Sequence, residues 1–287
     1  MSVLPELVGV VGGGRMGAGI AHAFLAVGCD ITLLEADPVS AEAAAARIEK
    51  SIRTAIERGS VTESWPAVSS RLRVVVVLDD LADRKLVIEA VPENIELKAD
   101  VLTAVERSVT QDCVLATNTS SLSIDTLAGA LEAPQRFIGL HFFNPVPTSD
   151  LVEIVNGAQT DPQLRTDAVD WVNGLGKAAV SVRDSPGFAT SRLGVAIALE
   201  AMRMLEEGVA SAEDIDTAMK LGYKHPVGPL ALTDIVGLDV RLDIARHLAR
   251  TLGRRFEPPA VLQDLVAHGH TGRKSGRGFY DYESKEL

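Results

Sequence analysis

The stretch LVGVVGGGRMGAGIAHAFLAVGCDITLLE, residues 7–35, constrains the fold of this chain more than any other. It opens on LVGVVG at 7–12, a short run of β-forming residues. Met16, Ile20, Phe24 and Val27 then recur at helical spacing, Gly28 ends the helix, and CDITLLE at 29–35 is a second strand. Strand, glycine-rich turn, helix and strand make one βαβ unit, whose strands pair in parallel. Within it Gly12, Gly14 and Gly17 fit G-x-G-x-x-G. The first glycine permits the tight turn, the second lets a pyrophosphate approach the backbone, and the third lets helix and strand pack closely. Arg15 and Met16 complete the turn, and the pyrophosphate would rest on the helix N-terminus, where free N–H groups and the helix dipole favour negative charge. Glu35 closes the second strand, where an acid hydrogen-bonds an adenosine ribose diol and repels a 2′-phosphate. No arginine follows in Glu35-Ala36-Asp37 to receive such a phosphate, so NAD is the expected cofactor rather than NADP. FAD shares the fingerprint but not the domain plan that follows.

A long helix is expected over 38–58 and another over 94–109. RVVVVL at 73–78 and LVIEAV at 86–91 read as buried parallel strands, followed by strands at 114–119, 137–142, 151–155 and 178–183. Strands alternating with helices imply an α/β, Rossmann-type doubly wound sheet. After DSPGF at 184–188 no convincing strand remains, and apolar residues follow helical spacing. We therefore expect residues 1–184 to form a Rossmann-type NAD-binding domain and 185–287 an all-helical domain for substrate binding and dimerisation. The second domain carries more apolar surface than a thin bundle buries, which points to a homodimer.

A formal net charge of −11 and a pI near 5.1 argue against nucleic acid or an anionic membrane as partner. Cys29 and Cys113 sit in apolar surroundings and read as reduced core thiols, so neither a disulfide framework nor a cysteine metal site is expected. No apolar run approaches the roughly 20 residues that span a bilayer. The N-terminus enters a strand almost at once, with no charged segment and cleavage site before it. A cytoplasmic protein is expected, and a chain running from a first strand to FYDY reads as a free-standing form.

HFFNPVPTSDLVE at 141–153 raises a different question. Glu153 sits among Leu151, Val152, Ile154 and Val155, and an isolated buried carboxylate costs several kcal/mol unless paired. Pro145 and Pro147 mark a turn, with Pro147 midway between His141 and Glu153. If the flanking runs fold back on each other, histidine and glutamate come face to face.

With these residues in hand, the chain resembles the L-3-hydroxyacyl-CoA dehydrogenase family and, within it, the bacterial 3-hydroxybutyryl-CoA branch. The likeness covers nearly the whole length. It rests on GxGxxG at 12–17, VPENIELK at 91–98, NTSSLSI at 118–124, HFFNPVP at 141–147 and LVEIV at 151–155. It continues through DSPGF, EDIDTAMKLG at 213–222, HPVGPL at 225–230, GLD at 237–239 and GRKSGRGFY at 272–280. The resemblance implies NAD-dependent oxidation of the 3-hydroxyl of an acyl-CoA, or its reverse, within fatty acid metabolism. It implies His141 as catalytic base and Glu153 as its partner. An imidazole can take the hydroxyl proton near neutral pH, and the acid would fix its tautomer and stabilise the imidazolium. Ser120 and Asn144 match positions that hydrogen-bond the reacting oxygen or the nicotinamide end. Glu93 and Lys98 match residues around the cofactor's ribose, and Lys274 another cofactor contact. The helix at 38–58, with Arg47, Lys50, Arg53 and Arg58, falls where the family holds the CoA adenosine, so Ser51 and Arg58 are candidate phosphate contacts.

One position departs from the pattern. After PGF the family usually has an asparagine that contacts the substrate, and here GFATSRL places Ser191. Serine offers one hydroxyl in place of an amide with donor and acceptor ends. Two other readings stay open: a dehydrogenase of a free hydroxy acid, of the L-gulonate or carnitine type, and a non-catalytic NAD-binding structural protein.

Overall fold

A computed structural model describes residues 4–282, which divide into two compact units after Ser185. In the first unit eight strands form one sheet: β1 (Leu7–Val11), β2 (Asp30–Leu34), β3 (Leu72–Val75), β4 (Leu86–Glu89), β5 (Val114–Thr117), β6 (Phe137–Phe142), β7 (Leu151–Asn156) and β8 (Ala178–Arg183). Their order is β3-β2-β1-β4-β5-β6-β7-β8, and every neighbouring pair is parallel except β6 and β7. The chain moves outward from β1 to β3, then returns to β4 on the other side of β1. That reversal opens a crevice past the C-terminal ends of β1 and β4.

Six helices connect these strands: α1 (Arg15–Leu25), α2 (Pro38–Glu57), α3 (Trp65–Ser69), α4 (Ile95–Ser108), α5 (Ile124–Ala128) and α6 (Pro162–Gly174). α2 starts where it does because Pro38 sits in its first turn and the Asp37 side chain accepts from the N–H groups of Val39 and Ser40. It buries Ala44, Ile48, Ile52 and Ala55, one stripe at helical spacing, and leaves its charged residues on the other side.

The run RVVVVL at 73–78 departs from expectation. Only Leu72–Val75 is strand, and Val76 and Val77 are 43% and 55% exposed. β3 is the outer strand and pairs with β2 alone, so valines here cover one flank of the sheet instead of being enclosed by it. β4 also stops short of Val91, because Pro92 disfavours continuing the chain and the Glu89 carboxylate accepts the Val91 N–H. The β6–β7 hairpin, in contrast, has the register its two prolines suggest, with His141 directly opposite Glu153.

The second unit is helical among its described residues: α7 (Thr190–Glu206), α8 (Ala212–Gly222), α9 (Pro229–Val236), α10 (Leu238–Leu252) and α11 (Ala260–Ala267). Its own core gathers Leu199 and Met202 of α7, Leu230 of α9, Leu242 and Leu248 of α10, and Leu262 of α11. Two buried aspartates tie its chain together. Asp216 accepts from the N–H groups of Leu230 and Ala231 at the start of α9 and from the Tyr280 hydroxyl. Asp234 accepts from the N–H groups of Phe279 and Tyr280 and from the Tyr282 hydroxyl. A Cβ at Gly272 or Gly278 would collide with Asp234, and Gly272 also has φ +97°, which explains two glycines of GRKSGRGFY by packing and backbone conformation.

Candidate active site

Past the ends of β1, β2 and β4 lies a groove of about 630 Å³, lined by Gly12, Gly14, Glu35 and Val91 among others. Its three motif glycines are not equivalent. Gly12 has φ +92°, a conformation side chains rarely adopt, and a Cβ there would stand 3.0 Å from the Ala90 carbonyl oxygen. A Cβ at Gly17 would collide with the Gly12 carbonyl, so it is glycine for packing. Gly14 has neither reason, because a Cβ there meets nothing within 4 Å. What a side chain at Gly14 would fill is the groove, at the N-terminus of α1, where no side chain caps the helix and no acid stands in the first turn. The Glu35 carboxylate is preset by the same turn, accepting from Gly13 N–H at 2.7 Å and Ala36 N–H at 3.2 Å. Open backbone, uncapped helix and acid at the end of β2 are the features that fit a dinucleotide's pyrophosphate and ribose.

Beside it, a cavity of about 340 Å³ is lined by Met16, Glu93, Asn118, Ser120, His141 and Asn144 together with residues just past β4 and at the end of β6. His141 Nδ1 lies 3.1 Å from Glu153 Oε2, with the histidine 7% exposed and the glutamate fully buried. A carboxylate on Nδ1 keeps the neutral ring's proton on that nitrogen and leaves the Nε2 lone pair to accept another. The ring also packs on Phe143, centroids 4.4 Å apart. Asn118 Oδ1 accepts the Phe142 N–H at 2.8 Å, so the end of β5 steadies the strand that carries the histidine.

Ser120 is held by Glu93. One oxygen of Glu93 accepts from the Ser120 N–H at 2.9 Å, from the Thr119 hydroxyl at 2.6 Å and from the Ser121 N–H at 3.2 Å. Burial pushes the Glu93 carboxyl up, but the Lys98 ammonium and these hydrogen bonds outweigh it and hold it below the usual carboxylate range. Lys98 itself is 1% exposed, and its ammonium donates to Glu89 at 2.7 Å and to the Val91 carbonyl at 3.1 Å. Its partner Glu89 is fully buried and also accepts from the Thr117 hydroxyl at 2.6 Å. Sequence reasoning missed Glu89, although it stands in LVIEAV as Glu153 stands in LVEIV, a lone acid in an apolar run.

Ser51 and Arg58 share a third cavity, about 550 Å³, with Arg47, Lys50, Thr54 and His22 on one side and Pro145, Pro147 and Thr148 on the other. Arg47 and Arg58 line the same cavity, but Arg47 spends a guanidinium N–H on the Gly13 carbonyl at 2.6 Å. Arg53 points elsewhere, pairing with Glu49 and lying over Trp65. Two groups here carried no sequence signal. His22, 5% exposed, has Nδ1 2.8 Å from Ser51 Oγ, and burial together with the nearby Lys177 charge brings its pKa down to about 4. The Lys177 ammonium donates to the Val146 and Ser149 carbonyls, fastening the loop that follows Asn144.

The remaining candidates belong to the second unit. Ser191 lies in the first turn of α7. The Lys274 ammonium donates to both carboxylate oxygens of Asp239, at 2.7 and 2.6 Å. Among the described residues no group of histidine, cysteine and acidic side chains could hold a metal, and no helix is long and apolar enough to cross a membrane.

Comparison with known proteins follows the division of the chain. Residues 7–185 match the NAD binding domain of 3-hydroxyacyl-CoA dehydrogenase, and residues 187–282 match that family's C-terminal domain. A probable 3-hydroxybutyryl-CoA dehydrogenase of Bacillus subtilis is 40% identical over 278 residues, covering 96% of this chain and 97% of that one. A 3-hydroxybutyryl-CoA dehydrogenase of Mycobacterium tuberculosis is 42% identical over 286 residues, covering 98% of this chain and 100% of its own. The crystal structure of an (S)-3-hydroxybutyryl-CoA dehydrogenase from Ralstonia eutropha superposes with a TM-score of 0.93 at 38% identity, covering 98% of this chain and 100% of that one.

Proposed function

The chain belongs to the 3-hydroxyacyl-CoA dehydrogenase family, and on that premise we propose how its own residues carry the reaction. The enzyme is an oxidoreductase that converts the 3-hydroxyl of an acyl-CoA to a ketone with NAD, or runs the reverse. Bound NAD supplies the hydride acceptor, held by the glycine turn with Arg15 and Met16 and by Glu35. His141 Nε2 takes the hydroxyl proton as carbon 3 is oxidised and returns it in reduction. Glu153, on Nδ1, keeps the ring in the tautomer that can accept and stabilises the charge that forms. Ser120 and Asn144 hold the reacting oxygen or the nicotinamide end, with Glu93, itself paired with Lys98, setting the position of Ser120. Ser51 and Arg58 receive phosphates of CoA, Ser191 is assigned to substrate and Lys274 to the cofactor.

The observation that supports this most is the opposed His141–Glu153 pair beside a cavity that also carries Ser120 and Asn144. Short-chain substrates of the 3-hydroxybutyryl kind, a role in fatty acid metabolism and a cytoplasmic homodimer complete the proposal. The dimer is suggested by apolar side chains left open on the second unit, such as Leu193 at 63% and Ile235 at 44% exposed. The test is His141→Ala assayed with acetoacetyl-CoA and NADH. Turnover is expected to fall about 10²–10⁴-fold with NADH binding retained, and turnover near the wild-type rate would remove histidine from the chemistry.

A further inference from the structure

α2 presents two hydroxyl side chains to the cavity of about 550 Å³, and they are held differently. Thr54 turns back on its own helix, its hydroxyl donating to the Lys50 carbonyl at 2.9 Å, a common arrangement for a hydroxyl inside a helix. Ser51 does not. Its one hydrogen bond among the described residues crosses to α1, where His22 Nδ1 lies 2.8 Å from Oγ. A hydroxyl can both donate and accept, so Ser51 keeps either its proton or its lone pairs for whatever enters the cavity. His22 decides which. The ring is 5% exposed and its pKa lies at about 4, because burial and the Lys177 charge both disfavour a second proton. At neutral pH it therefore carries a single N–H. Ser51 Oγ is the ring's one hydrogen-bond partner among the described residues. A proton on Nε2 would stand without a protein acceptor, whereas a proton on Nδ1 is accepted by Oγ. The second arrangement releases the serine O–H toward the cavity.

The charges around it say why a donor is wanted there. Arg47, Lys50 and Arg58 line the same cavity, and no acid is among its lining residues. An anion drawn in by those cations is helped by a hydroxyl that donates and opposed by one that turns its lone pairs outward. We propose that His22 is a positioning residue for substrate binding: its Nδ1–H holds Ser51 Oγ so that the serine O–H is aimed at a phosphate of the acyl-CoA. The imidazole touches no reacting atom and acts through Ser51. With an apolar side chain at 22 the serine hydroxyl would lose this anchor and be free to turn back on α2, as Thr54 does. The proposal rests on the reading of Ser51 and Arg58 as contacts of the CoA phosphates.

The experiment measures kcat and KM at saturating NADH with acetoacetyl-CoA and with acetoacetyl-pantetheine, which lacks every phosphate. His22→Leu should raise KM for the CoA thioester about tenfold, the worth of one hydrogen bond to a charged group, with kcat retained and the pantetheine KM unchanged. His22→Asn, whose amide can still donate to Oγ, should recover most of that loss. On a Ser51→Ala background, where the hydroxyl is gone, His22→Leu should add less than about twofold. A His22→Leu enzyme with the wild-type KM, beside a Ser51→Ala enzyme that binds the CoA thioester more weakly, overturns the positioning role alone. So does an equal rise for both thioesters, a fall in kcat in place of a rise in KM, or a full His22→Leu effect in the absence of the hydroxyl. Ser51→Ala and Arg58→Ala enzymes that treat the two thioesters alike overturn the phosphate reading, and this inference with it. Should the His22 variants fail to fold, the nitrogen NMR spectrum of the wild-type imidazoles with CoA bound decides: His22 protonated on Nδ1 supports the proposal, and His22 protonated on Nε2 overturns it.

Discussion

Glu153→Gln isolates the charge of the acid from its shape. Glutamine fits the same fully buried position opposite His141 and can still offer a carbonyl to Nδ1. It cannot offset the imidazolium that forms when the base takes a proton. At the 3.1 Å separation seen here, and an effective dielectric of about 20, that attraction is worth about 5 kcal/mol. A dipolar amide restores part of it, which leaves a loss of about 3–5 kcal/mol, or about 10²–10⁴ in turnover. An amide turned the other way would donate to Nδ1, move the ring proton to Nε2 and remove the base altogether. The assay is NADH oxidation under saturating acetoacetyl-CoA, beside NADH affinity by fluorescence titration. A fall in kcat of that size with affinity almost unchanged is the expected result. A kcat within tenfold of wild type, or an equal loss of NADH affinity, would refute the reasoning and make the pair a structural clasp.

Glu35→Ala should weaken NAD binding by about tenfold, the value of one hydrogen bond to a charged group, and relax discrimination against NADP; titration with both cofactors reads it, and an unchanged preference places the ribose elsewhere. His22→Gln tests the depressed histidine through stability. Burial and Lys177 hold its folded pKa at about 4, below the ordinary 6.5, so between those values the unfolded chain binds a proton that the folded chain refuses. Stability is therefore full above about pH 6.5 and falls as the pH drops toward 4. Between pH 7 and pH 5 the wild-type protein should lose about 2 kcal/mol more than the variant in urea unfolding, and parallel losses would show that this imidazole titrates normally.

Much of this site is legible in the sequence because its signals are local. The glycine turn announces itself through flanking strands and a helix, and the His141–Glu153 pair through a lone acid in LVEIV and two prolines that set the hairpin register. Other features depend on contacts that spacing does not encode. RVVVVL looks like an enclosed strand because a row of valines reads the same whether a sheet continues on one side or both. Lys98 resembles any charged residue in an early helical turn, and only the fold of β4 beneath it supplies Glu89 and buries the pair. His22 meets Ser51 across α1 and α2, and Lys177 reaches its carbonyls from β8's approach, so neither has a neighbour in sequence that hints at its role.

The most direct measurement is absorbance at the NADH band with the purified protein, offered acetoacetyl-CoA in one cuvette and acetoacetate or other free keto acids in others. Consumption of NADH with the thioester alone is the expected result. Consumption with the free acids and none with the thioester would contradict the acyl-CoA assignment, and would make the basic cavity of Lys50, Ser51 and Arg58 a solvated helix face.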